Sequence, residues 1–304
     1  MLKSFRDVLE AAKEGGAKRL AASLVDQADI ALLCKAAGAG LIIPWLVGDG
    51  KTIEGMIKGS PLASLEHEII DEKRPDKALS AAIRLVREGR ADMLMQGAVN
   101  HQVLMDAVMD VKNGLRKGKL ASFISVFELP KQGKLILVTD TFINNRPTLA
   151  EKQLILEHAL RLAGILGIEA PKVAALAAIE QINLNIPSTL DAAILSKMSE
   201  RKQFGKAIVE GPLDIDCALS EAAAGRKGLR SVVTGNVDIY IVPEIDTGHL
   251  LAEALVFFGK MATAGAIMGT TNPVILNLPF VSEEDRMVEI AIAALMCKKG
   301  RNDA

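Results

Sequence analysis

Aromatic side chains make up only 3% of this 304-residue chain, with one tryptophan and one tyrosine, so it has little to offer as a stacking platform for single-stranded nucleic acid. An excess of either charge is missing too. Lysine plus arginine number 36 against 37 aspartate plus glutamate, a net charge of −1 with the signs interspersed. That argues against a nucleic-acid surface or a polybasic membrane anchor. The three cysteines, Cys34, Cys217 and Cys297, are odd in number and far apart. They form neither a disulfide framework nor a zinc spacing, so each reads as a small buried apolar residue in a reducing, cytoplasmic setting. His67, His101, His158 and His249 share no HxH, HxxE or HExxH spacing, and no metal site is expected. The longest apolar stretch, Ile30 to Val47, is broken by Lys35, Gly38, Gly40 and Pro44. A membrane span needs roughly 20 uninterrupted apolar residues. Lys3, Arg6, Asp7, Glu10, Lys13 and Glu14 speak against a signal peptide. There is no GxSxG elbow and no GxGxxG after a strand, which removes hydrolase-triad and dinucleotide readings.

What is present is apolar residue at 50% of the chain, enough to bury a large core and to divide into two domains. Short apolar runs alternate with longer helical periods, the signature of an α/β protein. Strands are expected at Leu41–Val47, Met93–Gln96, Ser122–Phe127, Leu135–Val138, Val173–Ala177, Ala207–Val209, Ile239–Val242, Ala266–Met268 and Val274–Leu276. Most are apolar on both faces, as buried parallel strands are. The runs Phe123–Phe127 and Leu135–Val138 are joined by Glu128–Lys134, which predicts one antiparallel hairpin. Capping boxes mark three helix starts: Thr148 with Glu151, Ser188 with Asp191, and Ser282 with Asp285. These open helices Leu149–Leu166, Leu190–Glu200 and Glu283–Cys297, and the tail 298–304 is expected to fray. A boundary is expected at Asp140–Pro147, giving domain one as 1–139 plus 273–304 and domain two as 140–272. The crevice between them would gather the loops at Gly97, Asp140, Asp246 and Asn277.

Three segments carry chemistry. Asp238 to His249 reads as a buried strand stopped by Pro243, a polar loop Glu244–His249, and a helix Leu250–Lys260, the place where open α/β sheets put ligands. Gly97-Ala98-Val99-Asn100-His101 follows a strand with small residues that let the backbone approach an anion, although such a glycine is more often a plain turn. Thr139 to Pro147 combines hydroxyls, Asn144, Asn145 and Arg146, a mixture suited to an oxyanion and equally to an ordinary Asx-turn loop. Asp285 has a structural role available as the third residue of its capping box.

The order of these segments resembles the phosphate acetyltransferase and phosphate butyryltransferase family, the butyryl branch more closely. The matching pieces are ADMLMQGAVNHQVLMDAVMD (91–110), VFELPKQGKLILVTDTFIN (126–144), PKVAALAAIEQIN (171–183), AAILSKMSER (192–201), DIYIVPEIDTGHLL (238–251) and GTTNPVILN (269–277). The resemblance implies a two-domain α/β/α architecture like that of isocitrate and isopropylmalate dehydrogenases, with mostly parallel sheets plus an antiparallel pair. It implies a homodimer that moves an acyl group between coenzyme A and inorganic phosphate without metal or organic cofactor. Residue by residue it assigns substrate binding to Gly97, Asn100, Asp140, Thr141, Asn144, Lys197, Glu244, Gly248, Thr270 and Asn277, and the base to Asp285.

One departure stands out. The family pattern continues after PVILN with Ser-Arg, the arginine gripping phosphate, where this chain has Leu278-Pro279. Leucine has no anion-binding group and proline no N–H, and losing a charge-assisted phosphate contact costs on the order of 2–4 kcal/mol. Arg146, in place of a small residue, is the candidate replacement cation and is counted with Asp285 as catalytic. Two further readings stay open: a catalytically silent relative that still binds coenzyme A or another anionic metabolite, and a metal- and NAD-dependent decarboxylating dehydrogenase. The latter is disfavoured because residues 238–250 offer only Asp238 and Asp246 as aspartate ligands.

Overall fold

The computed structural model describes residues 1–299. The tail expected to fray lies, from residue 300 onward, outside the described residues. The chain divides into two compact units. Among the described residues, a terminal unit comprises Phe5–Ala121 and 264–299, and a central unit comprises Met1–Ser4 and Ser122–Thr263. The divisions therefore fall at 121/122 and 263/264 instead of 139/140 and 272/273. The reason is the hairpin, whose two strands pair with each other and then with the central unit's parallel strands, so no boundary can pass between them.

The terminal unit begins α1 (Phe5–Glu14), β1 (Lys18–Ser23), α2 (Gln27–Gly38), β2 (Ile42–Gly48), α3 (Gly50–Ile57), β3 (Glu68–Asp71), α4 (Pro75–Arg87), β4 (Met93–Met95) and α5 (His101–Val108). The central unit follows with β5 (Ser122–Leu129), β6 (Lys134–Thr139), α6 (Leu149–Ile165), β7 (Lys172–Leu176), α7 (Pro187–Glu200), β8 (Ile208–Leu213), α8 (Ile215–Leu219), α9 (Glu221–Arg226), β9 (Ile239–Ile241) and α10 (Ile245–Phe257), and the division at 263/264 falls within the next strand, β10 (Thr263–Met268). The chain closes with β11 (Val274–Ile275) and α11 (Glu283–Lys299), which belong to the terminal unit.

The terminal sheet has the order β11-β4-β1-β2-β3, and each neighbouring pair in it is parallel. β1 and β3 were not expected from the sequence. β1 opens on Lys18 and Arg19, which hides its apolar half, and β3 is an edge strand with no buried residue. The central sheet runs β10-β5-β6-β9-β7-β8. Its β5–β6 pair is the expected antiparallel hairpin, while β6–β9, β9–β7 and β7–β8 are parallel. Strands β5 and β6 are almost wholly buried, with Phe127 and Leu137 fully covered. Each such side chain contributes about 1.5–3 kcal/mol of hydrophobic stabilisation.

The amino ends of three central strands are tied by one buried ion pair. Lys134 Nζ at the start of β6 lies 2.6 Å from Asp238 Oδ1, and Asp238 Oδ2 accepts the Lys172 N–H at the start of β7 at 2.9 Å. Asp238 thus does structural duty at the strand end opposite the ligand loops. The Thr148–Glu151 capping box forms and Gly167, at φ +84°, follows the end of α6. The expected Ser188–Asp191 box does not form. Pro187, whose fixed φ suits the first helical position, starts α7 earlier, so Ser188 and Asp191 already lie inside the helix. At α11, Ser282 Oγ accepts the Asp285 N–H at 3.1 Å, as its cap pattern predicts.

Candidate functional site

Although β9 follows β8 in sequence, it lies between β6 and β7 in the central sheet, so the chain path reverses there and the carboxyl ends of parallel strands open a crevice. Asp140, the first residue past β6, is 3% exposed. Its carboxylate accepts the backbone N–H groups of Phe142 at 2.8 Å, Ile143 at 3.0 Å and Asn144 at 3.3 Å, and the Asn144 side-chain amide. Burial pushes the Asp140 carboxyl up, against the downward pull of those donors. Thr141 Oγ1 lies 2.8 Å from the Ser125 hydroxyl, also buried. The side chains of Asp140, Thr141 and Asn144 are therefore engaged in shaping the loop.

The stretch expected as a polar loop, Glu244–His249, is helical from Ile245 onward. Glu244 is extended at the N-cap, and Ile245 N–H donates to Asn145 O at 3.0 Å, which docks the helix start on the loop after β6. Gly248 makes this close approach possible, because a Cβ there would meet the Asp140 carbonyl oxygen at 2.3 Å. The His249 ring sits 5.7 Å from Phe142.

These elements line a cleft of about 980 Å³ within the central unit. Its walls are Arg146 and Pro147 after β6, Leu176–Ala178 after β7, Asp214 and Ile215 after β8, and Pro243, Glu244 and Thr247 after β9. α7 and α10 both present their N-terminal turns to it, and neither N-cap residue makes a side-chain capping bond. First-turn N–H groups and the positive end of the dipole make such termini receptive to anions. Arg146 is 85% exposed at its side chain, with Nε 3.6 Å from Glu244 Oε2. Lys152, from α6, and Asp191, from α7, also line the cleft and pair at 2.7 Å. Lys197 sits in the last turn of α7, exposed and paired with Glu200, and does not line the cleft.

The ligand atoms of Glu180, Asp214, Asp216 and Cys217 gather within 4.8 Å of one another. The Lys227 ammonium binds three of these groups, Glu180 at 2.6 Å, Asp216 at 3.0 Å and Asp214. That cluster is an ion-pair network in which one ammonium is shared by three carboxylates.

In the terminal unit, Gly97 follows β4 where a Cβ would lie 2.1 Å from Ser23 O, so only glycine fits between the ends of β1 and β4. Gln96, 5% exposed, holds two loops together: its Oε1 accepts the Asn277 N–H at 2.9 Å and its Nε2 donates to Val99 O at 2.8 Å. Asn100 caps α5, accepting the Gln102 N–H at 2.8 Å. Thr270 Oγ1 donates to Asn272 O at 2.8 Å. Asn277 is exposed and Leu278 is 2% exposed. Asp285 is half-buried in the first turn of α11, followed by Arg286, which meets Asp29 at 3.3 Å. Gly97, Gln96, Asn100 and Asn277 thus come together around the carboxyl ends of β4 and β11.

A sequence model described as Phosphate acetyl/butaryl transferase matches residues 48–294. The chain belongs to this family. A phosphate butyryltransferase of Clostridium acetobutylicum is 38% identical over 97% of this chain and 99% of its own length. A phosphate acetyltransferase of Thermotoga maritima is 36% identical over 95% and 98%. The solved structure of a branched-chain phosphotransacylase from Enterococcus faecalis V583 superposes with a TM-score of 0.79 at 28% identity, covering 92% of this chain and 99% of that one. A phosphotransacetylase from Streptococcus pyogenes, at 17% identity and TM-score 0.80, shares the fold.

As a member of the phosphate acetyl/butaryl transferase family, the chain retains the strand-end segments but packs Leu278 into its core. Sequence reasoning missed Lys152, Asp191 and Gln96. Lys152 did leave a signal: Thr148 is the N-cap of α6, so a lysine stands just inside a helix N-terminus, where the dipole disfavours a cation. Gln96 left none, being simply the last residue of an apolar run.

Proposed function

We propose that the protein transfers an acyl group between coenzyme A and inorganic phosphate: acyl-CoA + phosphate ⇌ acyl phosphate + CoA. The observation that carries this reading, beside family membership, is the central cleft, with apolar walls at Leu176, Ala177 and Leu251 and two uncapped helix N-termini. Apolar walls suit an acyl chain, and the helix termini suit an oxyanion. In the direction of acyl-CoA synthesis, a base takes the thiol proton of coenzyme A. The thiolate then attacks the acyl carbonyl, the carbon–sulfur bond forms, and the carbon–oxygen bond to phosphate breaks. Asp285 is the proposed base and Arg146 the proposed cation at the cleft mouth. Gly97, Asn100, Asp140, Thr141, Asn144, Glu244, Gly248, Thr270 and Asn277 shape or contact the substrates. Positioning two anionic substrates accounts for most of the acceleration.

Coenzyme A enters as a substrate, and no cofactor is invoked. Among the described residues no helix is long and apolar enough to cross a membrane, and a cytoplasmic location is part of the proposal. So is a homodimer, supported by the exposure of Leu250, Phe257 and Phe258 on and just after α10.

The test is direct: incubate the purified protein with butyryl-CoA and phosphate and follow free thiol. Thiol release that requires phosphate supports the transferase. A second reading, a silent relative that binds coenzyme A, is favoured by one observation, the burial of Leu278 where an anion-binding side chain is expected. Absence of turnover together with calorimetric binding of coenzyme A would select it.

A further inference from the structure

Lys152 reaches the central cleft with its side chain only 9% exposed, and among the described residues its bonded partner is Asp191, at 2.7 Å. An ammonium has three N–H donors, so two remain. Burying such a group is costly unless it is paired, and a buried pair is a weak source of stability compared with apolar residues of similar size. A packing role alone would be served better by a methionine. The donors remaining on Lys152 share the cleft with the first turns of α7 and α10, neither of which is capped by its N-cap side chain, although Ile245 N–H at the start of α10 donates to Asn145 O. Of the cleft's other carboxylates, Glu244 faces Arg146 at 3.6 Å and Asp214 pairs with Lys227. Asp191, which lies inside α7, holds the ammonium in place.

We infer that Lys152, fixed by Asp191, is the cation that receives the phosphoryl oxygens of inorganic phosphate, or of the acyl phosphate formed from it, supplying charge that Leu278-Pro279 do not. This rests on the transferase reading of the cleft. Phosphate groups of coenzyme A share the same chemistry, so the test separates the two sources.

Inorganic phosphate alone and free coenzyme A alone are titrated calorimetrically into wild type, Lys152→Arg, Lys152→Met and the doubly neutral Lys152→Met/Asp191→Asn. The double variant leaves no orphan carboxylate, so it remains informative if Lys152→Met folds poorly. Removing a charge-assisted contact is expected to weaken phosphate roughly tenfold or more in both Met variants, with Lys152→Arg close to wild type and coenzyme A affinity unchanged. In the thiol-release assay the KM for phosphate rises while that for butyryl-CoA holds. No phosphate binding by wild type, undiminished binding by the folded double variant, or a loss confined to coenzyme A overturns the inference. Phosphate binding that depends on Lys152 in a protein without turnover would remove the transferase reading and leave this assignment standing.

Discussion

A Cβ on Gly248 would stand 2.3 Å from the carbonyl oxygen of Asp140 and 2.9 Å from Val242 Cγ2. The start of α10 therefore rests directly on the backbone of the loop that follows β6. Gly248→Ala forces that loop and helix apart, at a cost of about 1–3 kcal/mol for an overpacked contact. The expected outcome is a lower urea midpoint together with reduced thiol release per folded molecule. Full activity in this variant would show that the contact has no bearing on the site.

The Lys134–Asp238 pair gives the opposite dissociation. It is buried, it ties the amino ends of β6, β7 and β9, and it lies at the strand ends away from the cleft. Asp238→Ala leaves the Lys134 ammonium without its partner, which costs about 3–5 kcal/mol. Denaturant melts should record that loss, while KM values of the folded fraction stay at the wild-type level.

Glu289 supplies a pH dependence. It is 2% exposed, Oε2 has no hydrogen-bond partner, and burial pushes its carboxyl up to about 8 despite the opposing influence of Arg286 and the Gly265 backbone. A carboxyl raised in the folded state contributes fully below the ordinary carboxylate range and loses that contribution as pH climbs to about 8. Wild-type stability should therefore fall across this window by at most about 1.4 kcal/mol per pH unit from this group. Glu289→Gln should flatten the profile, read as the difference between the two proteins' melting temperatures from pH 5 to pH 8. Parallel profiles would contradict it.

Arg146 is expected to matter for rate and hardly at all for stability. Its side chain is 85% exposed and faces Glu244 at 3.6 Å. Exposed pairs are worth roughly 0.2–1 kcal/mol and are weakened by salt. Arg146→Ala should lower kcat/KM for phosphorolysis by roughly 2- to 10-fold at low ionic strength, with the gap narrowing as salt is added. An unchanged rate would take Arg146 out of the catalytic assignment.

Much of the fold was legible because its signals are local. β6, β7 and β9 announce themselves as short apolar runs, and their buried positions match those runs closely. The hairpin was legible from its connector, and the start of α6 from Thr148 and Glu151. Family membership was legible from the order of motifs between residues 91 and 277, which the match over 48–294 bears out. Glu244–His249 misled because its residues are polar, yet helix formation there is set by a docking contact with Asn145 and a close approach to Asp140. Neither partner is near in sequence.

Periodicity, caps and motif order, all properties of neighbouring residues, were enough to fix an α/β chain of two units and the family to which it belongs. Which side chains face the cleft was decided only by tertiary structure, because it depends on strand order and on pairs far apart along the chain. Asp140 turned inward to organise its own loop, and Asp191, placed inside α7 by the early start at Pro187, pairs with Lys152, 39 residues away. Linear spacing records what a residue can do. The pairing of its charge, once buried, settles what it does.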